Sequence, residues 1–251
     1  NTRIGILYKA FLNRKPYEKE FEEFIKEEDY WLDDFALYTV LKHEHDAKAW
    51  NEWYDDFKFK NPQAISWAKN EFKNQILERK FYQFLFYKQW QKLRKYANKN
   101  GIRIIGDIPI YCAYDSADVW ANPKLFQLDD NLNPTFVAGC PPDAFSATGQ
   151  LWGNPLYDWE YHKSTGYDWW MKRIGYCYQL YDVVRIDHFR GFDEYYSIPY
   201  GDPTAENGKW MPGPGYDLFR TMKEKLGDRA VIAEDLGFLT DSVIKLIEDT
   251  G

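Results

Sequence analysis

Val183-Val184-Arg185-Ile186-Asp187-His188-Phe189-Arg190-Gly191 is the stretch from which the fold of this chain can be read. An apolar, β-branched run stops in an Arg, an Asp and a His, and a Gly follows where the backbone can turn. Such residues suit the pleated, half-buried setting of a strand. Side chains two apart on a strand share a face, so Arg185 and Asp187 should point the same way. A guanidinium beside a carboxylate favours its charged form, which suits a carboxylate nucleophile or an electrostatic stabiliser. An ordinary ion pair at a strand end accounts for the stretch equally well.

Two further segments repeat the design. Ala230-Val231-Ile232-Ala233-Glu234-Asp235-Leu236-Gly237 runs from small and apolar residues into two acids and then a Gly. Ile102-Arg103-Ile104-Ile105-Gly106-Asp107 is a third copy. Helical stretches from about 167 to 180 and 217 to 226 precede the strands that end in Asp187 and Glu234. Strands alternating with helices predict βαβ units and a parallel sheet. In barrels of that kind the catalytic groups sit at the carboxyl ends of different strands. Asp187 and Glu234 should therefore converge although far apart in sequence.

With 251 residues the chain is long enough for one sizeable core or two small ones. Its 32 basic residues against 39 acidic ones leave a net charge of −7, which argues against a nucleic-acid partner. No apolar run approaches a membrane span, so no membrane partner is expected. Aromatic residues make up 19%, enough both to fill cores and to stack on sugar rings. Cys112, Cys140 and Cys177 form no C-x-x-C, which fits reduced thiols and a cytoplasmic location. A plastid location stays open, because the sequence opens without Met inside a structured region and reads as an internal piece of a longer protein.

Residues 1–100 carry no strand signal and are expected to form a helical insertion subdomain. Phe21, Phe24, Ile25, Trp31, Leu32 and Phe35 fall near helical spacing, and Phe86, Trp90, Leu93 and Ala97 make a second stripe. His43 and His45, two apart near a helix end, read as a solvated face rather than as metal ligands. Gly101 is placed to end a helix. Residues 101–251 are expected to hold the strand–helix units, interrupted by a Pro/Gly/Asn/Asp-rich loop over about 122–155 and a second over 197–215. Thr240 or Asp241 should cap a last helix.

Two carboxylates at neighbouring strand ends, under aromatic and amide-rich loops, suit glycosidic-bond chemistry. One must be ionised to attack or stabilise the anomeric carbon, and the other must carry a proton for the leaving oxygen. A metal site built from Asp107, Asp187, His188 and Glu234 would need a second His on a matching strand end, and none is present. Glycine-rich nucleotide motifs and the G-x-S-x-G elbow are also absent.

Gly106-Asp107-Ile108-Pro109-Ile110-Tyr111, Pro141-Pro142-Asp143, Gly149-Gln150-Leu151-Trp152-Gly153-Asn154-Pro155, the Arg185–Gly191 stretch and Ala233–Gly237 occur in one order along the chain. Together they resemble the 4-α-glucanotransferases, the amylomaltase or disproportionating enzymes of glycoside hydrolase family 77. The resemblance implies an α/β fold, part of a (β/α)8 TIM barrel of the α-amylase type. It implies retaining transfer of α-1,4-glucan segments between maltooligosaccharides, without a cofactor. Asp187 matches the family's nucleophile, Glu234 its acid/base, and Arg185 the Arg beside the nucleophile. Asp143, Phe145, Gln150, Trp152 and Asn154 match its substrate-binding loop, and Asp107 and His188 are taken as substrate-binding too.

The family's third carboxylate, an Asp in a His-Asp pair on a later strand, has no match before Gly251, and only about three of the eight barrel strands can be located. Residues 1–251 alone are therefore expected to be inactive. An α-glucan hydrolase of the amylase type and a non-catalytic α-glucan-binding protein are the competing readings. Oligomeric state is not legible.

Overall fold

The computed structural model describes residues 2–234 and 240–251. Asp235, Leu236 and Gly237 of the third strand motif lie outside the described residues. The chain divides into two compact units, residues 1–93 with 115–121 and residues 94–114 with 122–251.

The first unit is helical: α1 (Thr2–Leu12), α2 (Glu18–Glu27), α3 (Asp29–Glu44), α4 (Asp55–Lys58), α5 (Pro62–Glu71), most of α6 (Lys73–Lys99), and α7 (Ala117–Ala121). Capping fixes where α5 begins. Asn61 Oδ1 accepts the Gln63 amide at 3.0 Å and Pro62 fills the first position, where its missing N–H costs nothing. Phe11, Phe21, Phe24, Leu32, Phe81 and Phe84 form one buried cluster. Within it Phe21 meets Phe81 edge-on at 5.2 Å, a favoured aromatic geometry.

The second stripe behaves differently. Phe86 and Leu93 are exposed, and α6 turns Phe81 and Phe84 into the core instead. At 3.6 residues per turn, Phe86 lies roughly 140° round the helix from Phe81, so only one of the two stripes faces α1 and α2. His45 also departs from the solvated face expected. Its Nδ1 lies 2.8 Å from the Leu41 carbonyl oxygen and its ring stacks on Trp53 at 5.1 Å, whereas His43 is exposed. Asp115 ties α7 into this unit by accepting from Tyr38 Oη at 2.7 Å and the Trp50 amide at 3.3 Å, and by pairing with Lys42.

The second unit is α/β. Strands β1 (Ile105–Pro109), β4 (Val183–Asp187) and β7 (Val231–Ala233) form a parallel sheet in the order β1-β4-β7. Strands β2 (Phe136–Cys140), β3 (Gln150–Pro155), β5 (Glu194–Pro199) and β6 (Lys209–Pro212) form an antiparallel sheet in the order β3-β2-β5-β6. Helices α8 (Trp159–Ser164), α9 (Asp168–Leu180), α10 (Tyr216–Leu226) and α11 (Asp241–Thr250) complete it. Gly101 follows α6 at φ +76°, and the Ile102 amide reaches back to Ala97 O at 3.0 Å, so the helix stops where a left-handed residue is cheap. Thr240 Oγ1 caps α11 through the Val243 amide at 3.4 Å.

Burial alternates along the parallel strands. Ile108, Val184 and Ile186 are buried, while Asp107, Arg185 and Asp187 lie on the more open face. Ile105 and Ile232 are exposed on that same open face. The stretch expected to be a long loop over 122–155 contains β2 and β3, and the 197–215 loop contains β6 and the end of β5. Prolines at 141, 155, 199 and 212 sit at or beside the ends of these strands, and the β2–β3 register shifts between Val137 and Gly139. Turn residues at the ends and an irregular register disguise the alternation from which a strand is read.

Candidate active site

Strand register sets the site. Asp107 lies opposite Arg185, and Pro109 opposite Asp187. On the other side Ile186 lies opposite Ala233, so Asp187 and Glu234 occupy the next rung of adjacent strands. Neighbouring strands run about 4.8 Å apart, which brings the two acids together at the carboxyl ends of β4 and β7.

Arg185 bridges two carboxylates. Its Nη1 donates to both oxygens of Asp107, at 2.7 and 2.8 Å, and to Asp187 Oδ1 at 3.2 Å. Strand spacing anticipates the Asp187 contact, but the shorter contacts, to Asp107, depend on cross-strand register. The Asp187 side chain remains 49% exposed and open to a ligand.

Glu234 is fastened by the turn that follows β4. Its amide donates to Ile186 O at 3.0 Å, its carbonyl accepts from the Phe189 amide at 3.1 Å, and its Oε2 accepts from the His188 amide at 2.8 Å. His188 adopts a left-handed conformation, φ 55° and ψ 49°, which aims that amide at the carboxylate. The His188 ring stands edge-on to Trp152 at 4.9 Å, with Nε2 buried and lacking a hydrogen-bond partner among the described residues. Burial pushes the imidazole towards its neutral form, opposed by the charge of Glu234.

The expected loop residues divide. Trp152, on β3, faces both His188 and Tyr111, and its Nε1 donates to Gln150 Oε1 at 3.1 Å. Asn154 is engaged within the protein, with Nδ2 on Cys112 O at 2.9 Å. Asp143 shapes its own turn, because its Oδ1 accepts the amides of Phe145 and Ser146 at 2.8 and 2.7 Å. Phe145 at that turn is 99% exposed and contributes no ring contact among the described residues. Burial pushes the Cys140 thiol up; Arg190 opposes this, while Asp143 and Glu234 add to it.

Tyr111 and Arg190 were quoted in the motifs without a role. Tyr111 is buried against Trp152 and Tyr157. The Arg190 guanidinium lies 3.9 Å from the Trp210 ring centre and 3.8 Å from Glu194. A cation inside an aromatic-rich motif is the signal that would have marked Arg190. Among the described residues no group of three or more His, Cys, Asp or Glu is arranged to hold a metal ion.

Parallel strands ending in an Arg-bridged acid and an amide-fastened acid, beside an aromatic wall, define an α/β protein with a paired-carboxylate site. The chain belongs to the 4-alpha-glucanotransferase family, whose profile matches residues 1–251. It is 49% identical over 253 residues to the 4-alpha-glucanotransferase of Clostridium butyricum, covering 100% of this chain and 52% of that protein. Against the Aquifex aeolicus 4-alpha-glucanotransferase it is 49% identical, covering 97% of this chain and 50% of the relative. The amylomaltase of Streptococcus agalactiae, solved in complex with acarbose, superposes with a TM-score of 0.94 at 42% identity over 99% of this chain and 51% of that one. The chain thus spans about half the length of the curated relatives it matches.

Proposed function

We propose that this chain carries the nucleophile and the acid/base of a 4-α-glucanotransferase, which moves α-1,4-glucan segments between maltooligosaccharides with retention. The observation that carries the reading is the placement of Asp187 and Glu234 on adjacent rungs of β4 and β7. A retaining enzyme needs its two carboxyl groups about 5–5.5 Å apart, and acids at neighbouring strand ends support that reading.

Asp187 attacks the anomeric carbon while protonated Glu234 gives its proton to the glycosidic oxygen, releasing the first sugar product and leaving a glycosyl ester on Asp187. Glu234, now a carboxylate, takes the proton of an acceptor hydroxyl, whose oxygen displaces Asp187 from the anomeric carbon. Arg185 hydrogen-bonds Asp187 and fixes the direction of its carboxylate, and is itself oriented by Asp107. Trp152, Gln150 and His188 form the wall against which a sugar ring stacks, and Asp143 and Phe145 offer an exposed turn to the donor or acceptor chain. Asp107 and Asn154 act by positioning, because their side chains are already engaged.

The parallel sheet is an arc of a (β/α)8 barrel on this reading. Its more open face carries the acids together with exposed Ile105 and Ile232, apolar groups that a closed barrel would cover. The location is cytoplasmic or, as in plants, plastidic.

The test is incubation with maltotriose of the chain extended to the full length of its relatives. A ladder of longer oligosaccharides is expected. Glucose and maltose alone would mean hydrolysis, and retained oligosaccharide binding with no product would mean binding without turnover.

A further inference from the structure

Behind the catalytic face, one cation grips the end of β1. Arg173 of α9 donates from Nη2 to Pro109 O at 2.7 Å and from Nη1 to Ile110 O at 3.2 Å. Tyr157 joins it: its hydroxyl donates to the same Ile110 carbonyl at 2.7 Å and accepts from Arg173 Nη1 at 3.1 Å. The guanidinium sits 5.2 and 5.0 Å from the ring centres of Trp169 and Trp170. A planar donor set between indoles has few other orientations available.

The gripped carbonyls are where the site is built. Pro109 lies opposite Asp187 in the sheet. Ile110 and Tyr111 press on the turn that fastens Glu234: a Cβ added to Gly191 would meet Ile110 Cδ1 at 2.8 Å and Tyr111 Oη at 3.6 Å. That turn includes His188 and Phe189, whose amides hold the Glu234 side chain and carbonyl. Tyr111 also contacts Trp152, and Trp152 contacts His188. A displacement of the β1 end is therefore passed to both acids through close contacts.

We propose that Arg173, with Tyr157, is a positioning residue for the Asp187/Glu234 pair, holding the Pro109–Tyr111 backbone so that the turn after β4 presents Glu234 to the bond being cleaved. The inference rests on the two-carboxylate reading above. Misplacing a general acid by a fraction of an ångström lowers turnover much more than ground-state binding.

The experiment uses the chain at its relatives' full length, with Asp187→Asn as the reference and Arg173→Met, Arg173→Lys and Tyr157→Phe as the variants. Maltotriose disproportionation is followed with the folded fraction measured in parallel. Arg173→Met is expected to lower kcat per folded molecule about tenfold or more while KM changes less than about threefold. Arg173→Lys should recover part of that loss and Tyr157→Phe should lose less. Added guanidinium should partly restore Arg173→Met, which no general loss of stability would permit. Wild-type kcat per folded molecule in both Arg173→Met and Tyr157→Phe overturns the inference, as does a loss confined to KM. If Arg173→Met fails to fold, the Lys and Phe variants decide by the same kcat criterion. If Asp187→Asn keeps full turnover, the two-carboxylate reading itself has failed, an outcome separate from any result at Arg173.

Discussion

Each of the two acids has its own kind of support. Asp187 is held by a side chain, Arg185, which Asp107 orients, whereas Glu234 is held by backbone amides of the turn after β4. Asp187→Asn and Glu234→Gln are each expected to lower transfer on the order of 10³-fold or more, with folding intact by circular dichroism. Arg185→Lys places one compact ammonium where a planar donor spans two carboxylates, and should lower kcat roughly tenfold. The sequence reading reached Asp187, Glu234 and Arg185 because an acid ending an apolar run is a local signal. It missed the Asp107–Arg185 bond, since register between strands is set by the packed fold and leaves no mark in either segment.

At the scale of elements, Asp182 is the joint between α9 and β4. It accepts from Arg94 at 2.8 Å, Asn98 at 2.7 Å and the Ile104 amide at 2.8 Å, tying β4 to the end of α6 and the start of β1. Burial works against its charge, but the Ile104 amide, Arg94 and Asn98 outweigh it and hold the carboxyl at about 2. Asp182→Asn should cost about 2 kcal/mol of stability, measured by urea unfolding at pH 7. Among the elements, β1, β4, β7 and the helices α9, α10 and α11 were legible, because each pairs an apolar pattern with a clear stop. The antiparallel sheet was not. Phe136–Cys140 and Gln150–Pro155 are short and flanked by Pro and Gly, so residues that close strands were read as one continuous loop. The stripe of Phe86, Trp90 and Leu93 misled for another reason: periodicity finds a face of a helix without saying which face has a neighbour.

For the molecule as a whole, acid is the informative stress. His162 is fully buried, ringed by Tyr157, Trp159 and Trp169, and among the described residues neither ring nitrogen has a close hydrogen-bond partner. Burial pushes its pKa down to about 4; the Leu125 carbonyl and the charge of Asp158 offset only part of that. A histidine lowered on folding is protonated first in the unfolded chain. Stability should therefore hold above about pH 6.5, fall by about 3 kcal/mol between 6.5 and 4, and level off below. Urea midpoints across that window should decline in the wild type and stay nearly flat in His162→Phe. Asp182 acts in a separate, lower window, from 3.8 down to about 2.

The open face of the parallel sheet has its own whole-molecule consequence. Ile105 and Ile232 are exposed beside unpaired edges of β1 and β7 among the described residues. Residues 1–251 alone should bind a hydrophobic dye, associate on concentration and give no maltotriose ladder.

Phe145 stands 99% clear of the protein at the tip of a turn braced by Asp143, Ser146 and Gly149. A protease that cuts after aromatic residues should reach that bond before almost any other. The first nick in the chain then becomes a ruler for the turn: a glucan resting on the ring would slow the cut, and a glucan bound elsewhere would leave its rate unchanged.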